Sequence, residues 1–406
     1  MTPGKWRRAG SLGVTLIIMG GLLAGCSWFG HSGGSATPTH RPGPERPELA
    51  DQFVTRSGAQ LKLGGQPFRF VGFNYFDAAA TDRYACAWWP RASDADLDRD
   101  FRFLHEQGGA TVVRFWAFQT YTQGGTDFSG VDRVIRAARA NGMRVMPVLE
   151  NEWGDCTTAP TRTDSKAAYQ GDTWFGQGYR VPFGNAALSY RDYVSRIVTH
   201  YRDEPTILGW TMMNEAETSA RDDQNRSVLV GFAGDIAGMI KSADPRHLVS
   251  VGSQSNGAPG ASGPDFAAVY GLANIDFTEV HDWTAWGSDT EALPGSAKDG
   301  SLPATTSPQC APVRGAPLAC SFALAQRLGK PLIVGEAGIA AGDAAGRERR
   351  AGLLAAKVRA AFRNGASGYL IWQFNHVVDT ERYDVLPSGN DPLFAVLRRL
   401  SDNPPS

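Results

Sequence analysis

Three stretches decide how the chain folds: Thr111-Val-Val-Arg-Phe-Trp116, then Val131-Asp-Arg-Val-Ile-Arg-Ala-Ala-Arg-Ala-Asn141, then Arg144-Val-Met-Pro-Val-Leu-Glu150. The first and third are near-continuous apolar runs of strand length. The second carries apolar residues at helical spacing and stops at Gly142. Strands apolar on both faces belong to a sheet that helices cover on both sides, which is a parallel sheet. The same alternation extends in both directions. Further strand runs are Phe68–Asn74, Ile207–Met213, His247–Gly252, Ile275–His281, Pro331–Glu336 and Gly368–Gln373. Helices are expected from Ser93, as a cap, to Gln107, over Asn185–Arg202 ahead of Pro205, and over Arg347–Arg363 ahead of Gly365. Eight strands joined by helical crossovers predict an α/β fold, a single (β/α)8 TIM barrel. A doubly wound open sheet is the alternative, but no Gly-x-Gly-x-x-Gly turn follows the first strand.

Two connections, Asn151 to Gly184 and Thr284 to Ala319, are far too long for turns. Both follow strand C-termini, the side on which barrels build their sites. The chain's surplus over a plain barrel sits mainly in these two connections, beside the expected site.

The 406 residues include 42% apolar and 20% charged side chains, enough for a large core and too apolar for global disorder. Forty basic and 41 acidic residues nearly cancel, so nothing marks a surface for nucleic acid. The N-terminus has a different character. Lys5, Arg7 and Arg8 precede an apolar run from Leu12 to Leu22 that closes on Leu23-Ala24-Gly25-Cys26. That is a signal-peptide pattern over residues 1–25, and the run is too short to span a bilayer. Its ending resembles the lipobox of bacterial lipoproteins, which implies a lipidated Cys26, a membrane anchor and an extracytoplasmic location, with ordinary secretion as the alternative. Residues 27–50, with Pro38, Pro42, Pro44 and Pro47, read as a flexible spacer, and 51–406 as the catalytic domain. Cys86, Cys156, Cys310 and Cys320 remain. In an oxidising compartment they favour two disulfides with three pairings open, of which Cys86–Cys156 with Cys310–Cys320 is expected. A zinc site is the rival, without a Cys-x-x-Cys to support it.

The polar residues that end the strands carry the chemistry. The fourth strand ends in Asn214-Glu215 and the seventh in Gly335-Glu336, each an acid placed directly after an apolar run. A pair of carboxylic acids on one barrel mouth suits glycoside hydrolysis: one protonates the departing oxygen while the other attacks or activates water. Burial should raise both pKa values, and a nearby guanidinium should hold the attacking acid ionised. The pair and its surroundings resemble the retaining β-glycosidases of clan A, particularly glycoside hydrolase family 5, over residues 60 to 400. The resemblance implies Glu215 as acid/base, Glu336 as nucleophile, Asn214 on the sugar 2-hydroxyl and Arg114 beside Glu336. It further implies His281 next to the acid/base and Trp372 as a platform under the sugar. Glu150-Asn151-Glu152-Trp153 resembles the third-strand ending of mannan-cleaving members, which adds Asn151 and Trp153 to the substrate-binding set. Three positions depart from the family: Ala216 stands for a Pro, Glu150 for an Asn, and Trp283 in His281-Asp282-Trp283 for a Tyr whose hydroxyl meets the nucleophile.

The implied activity is retaining hydrolysis of β-glycosidic bonds in a carbohydrate polymer or oligosaccharide by a monomer without cofactor or metal, endo-β-1,4-mannanase-like. A β-glucanase or transglycosylating relative, and a non-catalytic glycan-binding lipoprotein, are the alternatives. A metal-dependent barrel would want His-x-His where this chain has Phe73-Asn74-Tyr75. Among other loop residues, Trp153, Trp174 and Trp286 are the expected sugar-stacking tryptophans. Glu150, Glu152 and Asp155 are read as solvated loop charges, and Glu217 as a helix-start acid.

Overall fold

A computed structural model describes residues 50–87, 90–157, 172–283, 291–377, 383–385 and 390–403. The expected export segment, Cys26 and the spacer lie outside the described residues, as do Trp88, Trp89 and Trp286. No described helix is long and apolar enough to cross a membrane.

The chain enters through a small antiparallel sheet, β1 (Thr55–Ser57), β2 (Gln60–Leu63) and β3 (Gln66–Pro67). Eight parallel strands follow: β4 (Phe70–Asn74), β5 (Val112–Trp116), β6 (Arg144–Val148), β7 (Gly209–Thr211), β8 (Leu248–Ser250), β9 (Thr278–Trp283), β10 (Leu332–Gly338) and β11 (Ala366–Ile371). They pair in the order β8-β7-β6-β5-β4-β11-β10-β9. The ladder is open only between β8 and β9. Backbone bonds bridge that gap, among them Asp276 N–H to Val249 O at 2.8 Å and His281 N–H to Gln254 O at 2.9 Å. A helix follows each strand: α1 (Asp94–Gly108), α2 (Ser129–Ala140), a short α3 (Asp172–Gly176) with α4 (Tyr190–Tyr201), α5 (Val228–Ala243), α6 (Gly263–Tyr270), α7 (Leu318–Leu328), α8 (Ala344–Arg363) and α9 (Pro392–Asp402). The expected (β/α)8 barrel is the fold.

Local chemistry sets the helix ends. Ser93 caps α1 in a reciprocal capping box with Asp96, and Gly109 closes it in the left-handed conformation at φ 63°. The helix expected from Asn185 starts only at Tyr190, because the Ser189 hydroxyl accepts the Asp192 N–H at 3.0 Å and fixes the cap there. The one expected from Arg347 starts earlier, at Ala344, where Asp343 accepts the Gly346 N–H at 2.7 Å.

The small sheet was not expected, and it closes the N-terminal end of the barrel. Val54 and Leu61 pack against the first residues of the barrel strands, among them Phe70, Val112, Met146 and Ile333, in a cluster of their own. At the opposite end, two disulfides tie down the loops with the expected pairing. Cys86–Cys156 joins the loops after β4 and β6, with a Cα separation of 5.1 Å, and Cys310–Cys320 joins the loop after β9 to α7 at 5.4 Å.

Candidate active site

Arg114 is the hub at the C-terminal end of the barrel. It is fully buried on β5 and reaches four strands. Nη1 donates to Glu336 at 2.7 Å and to Asn74 Oδ1 at 2.9 Å, Nη2 donates to Asn214 Oδ1 at 2.8 Å, and Nε lies 3.2 Å from Glu279. A planar guanidinium can serve several acceptors at once and keep its charge, which an ammonium could not do here. Asn74 in turn donates to Gly335 O at 2.9 Å, so the strand that carries Glu336 is fixed on both sides.

Glu215 is presented by an unusual backbone turn. Its φ is +56°, in the left-handed region that non-glycine residues rarely occupy, and its N–H donates to Gly252 O at 2.8 Å. His281 Nδ1 lies 2.8 Å from Oε1 of the carboxylate and the Trp153 indole N–H bonds Oε2. The Gln254 amide end lies 3.2 Å from both oxygens, where acceptor-only neighbours call for its NH2 to be the group that faces them. Asn214 beside it donates to Asn151 Oδ1 at 3.1 Å, which is what Asn151 contributes to the site.

His281 also stands 3.5 Å from Glu336 Oε2. The Trp283 indole N–H donates to that same oxygen at 3.2 Å. The hydroxyl missing from this position is therefore replaced by an indole donor. One oxygen each of Glu215 and Glu336 and one His281 nitrogen lie within 4.8 Å of one another. His281 bonds Glu215 and lies within ion-pair distance of Glu336, which Arg114 and Trp283 hold, so the three groups form one coupled charge cluster. Beside it, Trp372 is half-buried, stacked on Phe76 at 5.7 Å and 5.9 Å from both Trp116 and Trp283. The Arg114 guanidinium lies 5.0 Å from the Trp116 ring, joining the aromatic floor to the charged cluster.

The charges settle differently from expectation. Burial pushes Glu215 up, but the His281 hydrogen bond and charge, with the Trp153 N–H, outweigh it and hold the carboxyl below the usual range. Burial pushes Glu336 up, and the cations His281 and Arg114 only partly offset that. Burial alone would lower His281; Glu336, Glu215 and Glu279 raise it instead to about 9. These directions are those of a charged imidazole 2.8 Å from an ionised Glu215.

Several expectations for neighbouring residues are corrected. Trp174 is core: it packs on Phe175, Tyr179, Tyr190 and Phe232. Glu150 and Glu152 are buried, not solvated; Glu150 accepts the Asn151 N–H at 2.9 Å and Glu152 the Glu217 N–H at 2.6 Å. Glu217 is buried too and starts no helix. Sequence reasoning passed over Asn74, Gln254 and Glu279. Only Glu279 left a signal there: an acid inside an apolar strand, two residues before His281 and so on the same face.

One family model matches. It is described as GH family 5 beta-mannosidase-like, and it covers residues 185–364. The matched stretch holds Asn214, Glu215, His281 and Glu336 and leaves out Arg114 and Trp372. Among curated proteins, a probable mannan endo-1,4-beta-mannosidase C of Aspergillus terreus is 29% identical over 284 residues, 59% of this chain and 66% of its own length. Mannan endo-1,4-beta-mannosidase 1 of Solanum lycopersicum is 26% identical over 58% of this chain and 64% of its own. The chain thus spans slightly less than two thirds of these relatives. Among solved structures, the endo-1,4-beta-mannanase of Rhizomucor miehei superposes with a TM-score of 0.62 at 20% identity, over 86% of this chain and 99% of that one. The endo-beta-1,4-glucanase Xac0029 of Xanthomonas axonopodis pv. citri does so at 0.53 and 14%, over 82% and 98%. At such identities the structures speak for the fold.

Proposed function

We propose that the protein is a glycoside hydrolase that cleaves internal β-1,4-mannosidic bonds with retention of configuration. The observation that carries this reading is the spacing of the acids. Oxygens of Glu215 and Glu336 within 4.8 Å suit a retaining pair, whose carboxyls stand about 5–5.5 Å apart; an inverting pair needs about 6.5–9.5 Å to admit water. The family match and the mannan-cleaving relatives support the choice of sugar.

In the proposed reaction a Glu336 oxygen attacks the anomeric carbon as the glycosidic C–O bond breaks, and the leaving oxygen takes a proton from Glu215. His281 supplies that proton to Glu215 across their hydrogen bond when substrate displaces water from the carboxyl. Glu215 then removes a proton from the incoming water, whose oxygen displaces Glu336 and frees the sugar. Arg114 and the Trp283 N–H hold Glu336 as it attacks and leaves, Asn214 meets the 2-hydroxyl, and Trp372 with Trp153 walls the sugar ring. We also infer that Cys26 is lipidated and that residues 27–50 tether the barrel, as a monomer, outside the cytoplasmic membrane. The Leu-Ala-Gly-Cys ending and the disulfides support this.

The test is an assay of the protein on mannan, glucan and xylan, together with a 2-fluoro-mannoside. Reducing ends from mannan and a fluorosugar mass on the Glu336 peptide are expected. Release from glucan alone would move the assignment to a glucanase. Sugar binding with neither release nor label would leave a glycan receptor.

A further inference from the structure

Below the two acids, β9 sends a second side chain into the barrel. Glu279 precedes His281 by two residues, so it shares the inward face one layer deeper. It is completely buried. Oε2 accepts from the Thr211 hydroxyl at 3.1 Å, and Oε1 lies 3.2 Å from Arg114 Nε and 3.9 Å from His281 Nε2. Arg114 Nε, Glu279 Oε1 and His281 Nε2 have no geometrically sound hydrogen bond among the described residues, so these three buried atoms face one another. Gly335, immediately before Glu336, makes the room: a Cβ there would stand 2.4 Å from Glu279 Oε1.

The consequence follows from which edges are used. The Arg114 fork serves Glu336, Asn74 and Asn214, leaving its Nε edge for Glu279. His281 turns Nδ1 to Glu215 and Glu336, leaving its Nε2 edge for Glu279. We propose that Glu279 is a positioning residue, a third buried carboxylate that orients both cations of the site from beneath and keeps the imidazole charged and aimed at Glu215. The proposal rests on the glycosidase reading of Glu215 and Glu336. A carboxylate buried without a partner is costly, so Glu279 holds the two cations as firmly as they hold it. The charged groups around His281 are then Glu215 after β7, Glu336 on β10, Arg114 on β5 and Glu279 on its own strand. Asp282 points away, to Lys357 at 3.0 Å.

The experiment follows the His281 imidazole by NMR titration in the full chain, for the parent, Glu279→Gln and Glu279→Asp, alongside pH profiles of kcat/KM. An opposite charge within about 4–6 Å moves a pKa by about 1–3 units. His281 should therefore titrate at least about one unit lower in Glu279→Gln. The basic limb of kcat/KM should move with it and KM should stay nearly constant. Glu279→Asp keeps the charge but withdraws it by one methylene, so it should fall between the two, and it serves alone if the Gln variant does not fold. An unchanged His281 midpoint in every folded variant overturns the proposal. So does a uniform loss of activity at all pH values. Because the titration needs no substrate, it separates the two failures: a parent inactive on every glycan sinks the enzyme reading, whereas an unmoved His281 midpoint sinks the role of Glu279.

Discussion

The two ends of the barrel are equally dry and chemically opposite. At the N-terminal end Val54 and Leu61 seal a layer of Phe70, Val112, Met146 and Ile333. At the C-terminal end Arg114, His281, Glu279 and Glu336 are buried to the same degree. Apolar burial stabilises by roughly 25 cal/mol per Å². Buried ion pairs, by contrast, about break even against desolvation, although breaking one is costly. The difference teaches that one end of this molecule supplies stability while the other consumes it to hold charges in a useful arrangement.

Substitutions can separate the two ends. The largest effect should come from Glu336→Ala, which removes the attacking atom. Turnover should fall by at least about 10³-fold, about 4 kcal/mol in the barrier, with the fold retained. Added azide should restore part of the cleavage with inverted product, read by NMR of the released sugar. Leu61→Ala is the mirror experiment. It should lower stability by about 2–5 kcal/mol in denaturant titration, while kcat/KM at 25 °C stays at the parental value. Loss of activity without loss of stability in this variant would mean that the two ends are coupled.

Acidity separates them too. The folded-state pKa of His281, about 9, lies above its ordinary value of 6.5. Its contribution to stability is therefore complete below about pH 6.5 and is lost as pH rises through about 9. Lys330, lowered by burial to about 8 at the foot of β10, drives the opposite trend in that range. The unfolding midpoint of the parent minus that of His281→Gln, followed from pH 6 to 10, isolates the histidine and should decline. The smallest effect belongs to Trp283→Phe, which deletes one N–H donor to Glu336. A hydrogen bond to a charged group contributes about 1.5–3 kcal/mol, so kcat/KM should drop roughly ten- to a hundredfold, with Trp283→Tyr recovering part of it.

What could be read in the sequence was whatever repeats or interrupts a pattern. The barrel strands show as apolar runs because both of their faces are covered, and Glu215 and Glu336 show because each ends such a run. The sheet of β1 to β3 did not show: its strands are two to four residues long and mostly polar, too short for a period to emerge. Trp174 looked like a sugar platform because its loop is long, yet α3 folds it back onto Phe232 in the core. Glu150 and Glu152 looked solvated because acids crowded in a loop usually are, and Glu217 looked like the first turn of a helix; all three are buried. Only the third dimension brings the Glu217 N–H to Glu152. The direction of the Glu215 shift was misread for a similar reason: burial was expected to raise it, and the His281 and Trp153 donors lower it. Sequence names the neighbours of an acid but not which of them is 2.8 Å away.

Gly252 turns one of these details into a design rule. Its carbonyl receives the Glu215 N–H, its φ is +83°, and a Cβ there would stand 2.0 Å from Met213 O. The left-handed bend that aims Glu215 is thus written on two strands, not one. Anyone transplanting the Asn214-Glu215 pair onto another barrel would have to carry a glycine at the end of the next strand with it, or the acid would arrive pointing elsewhere.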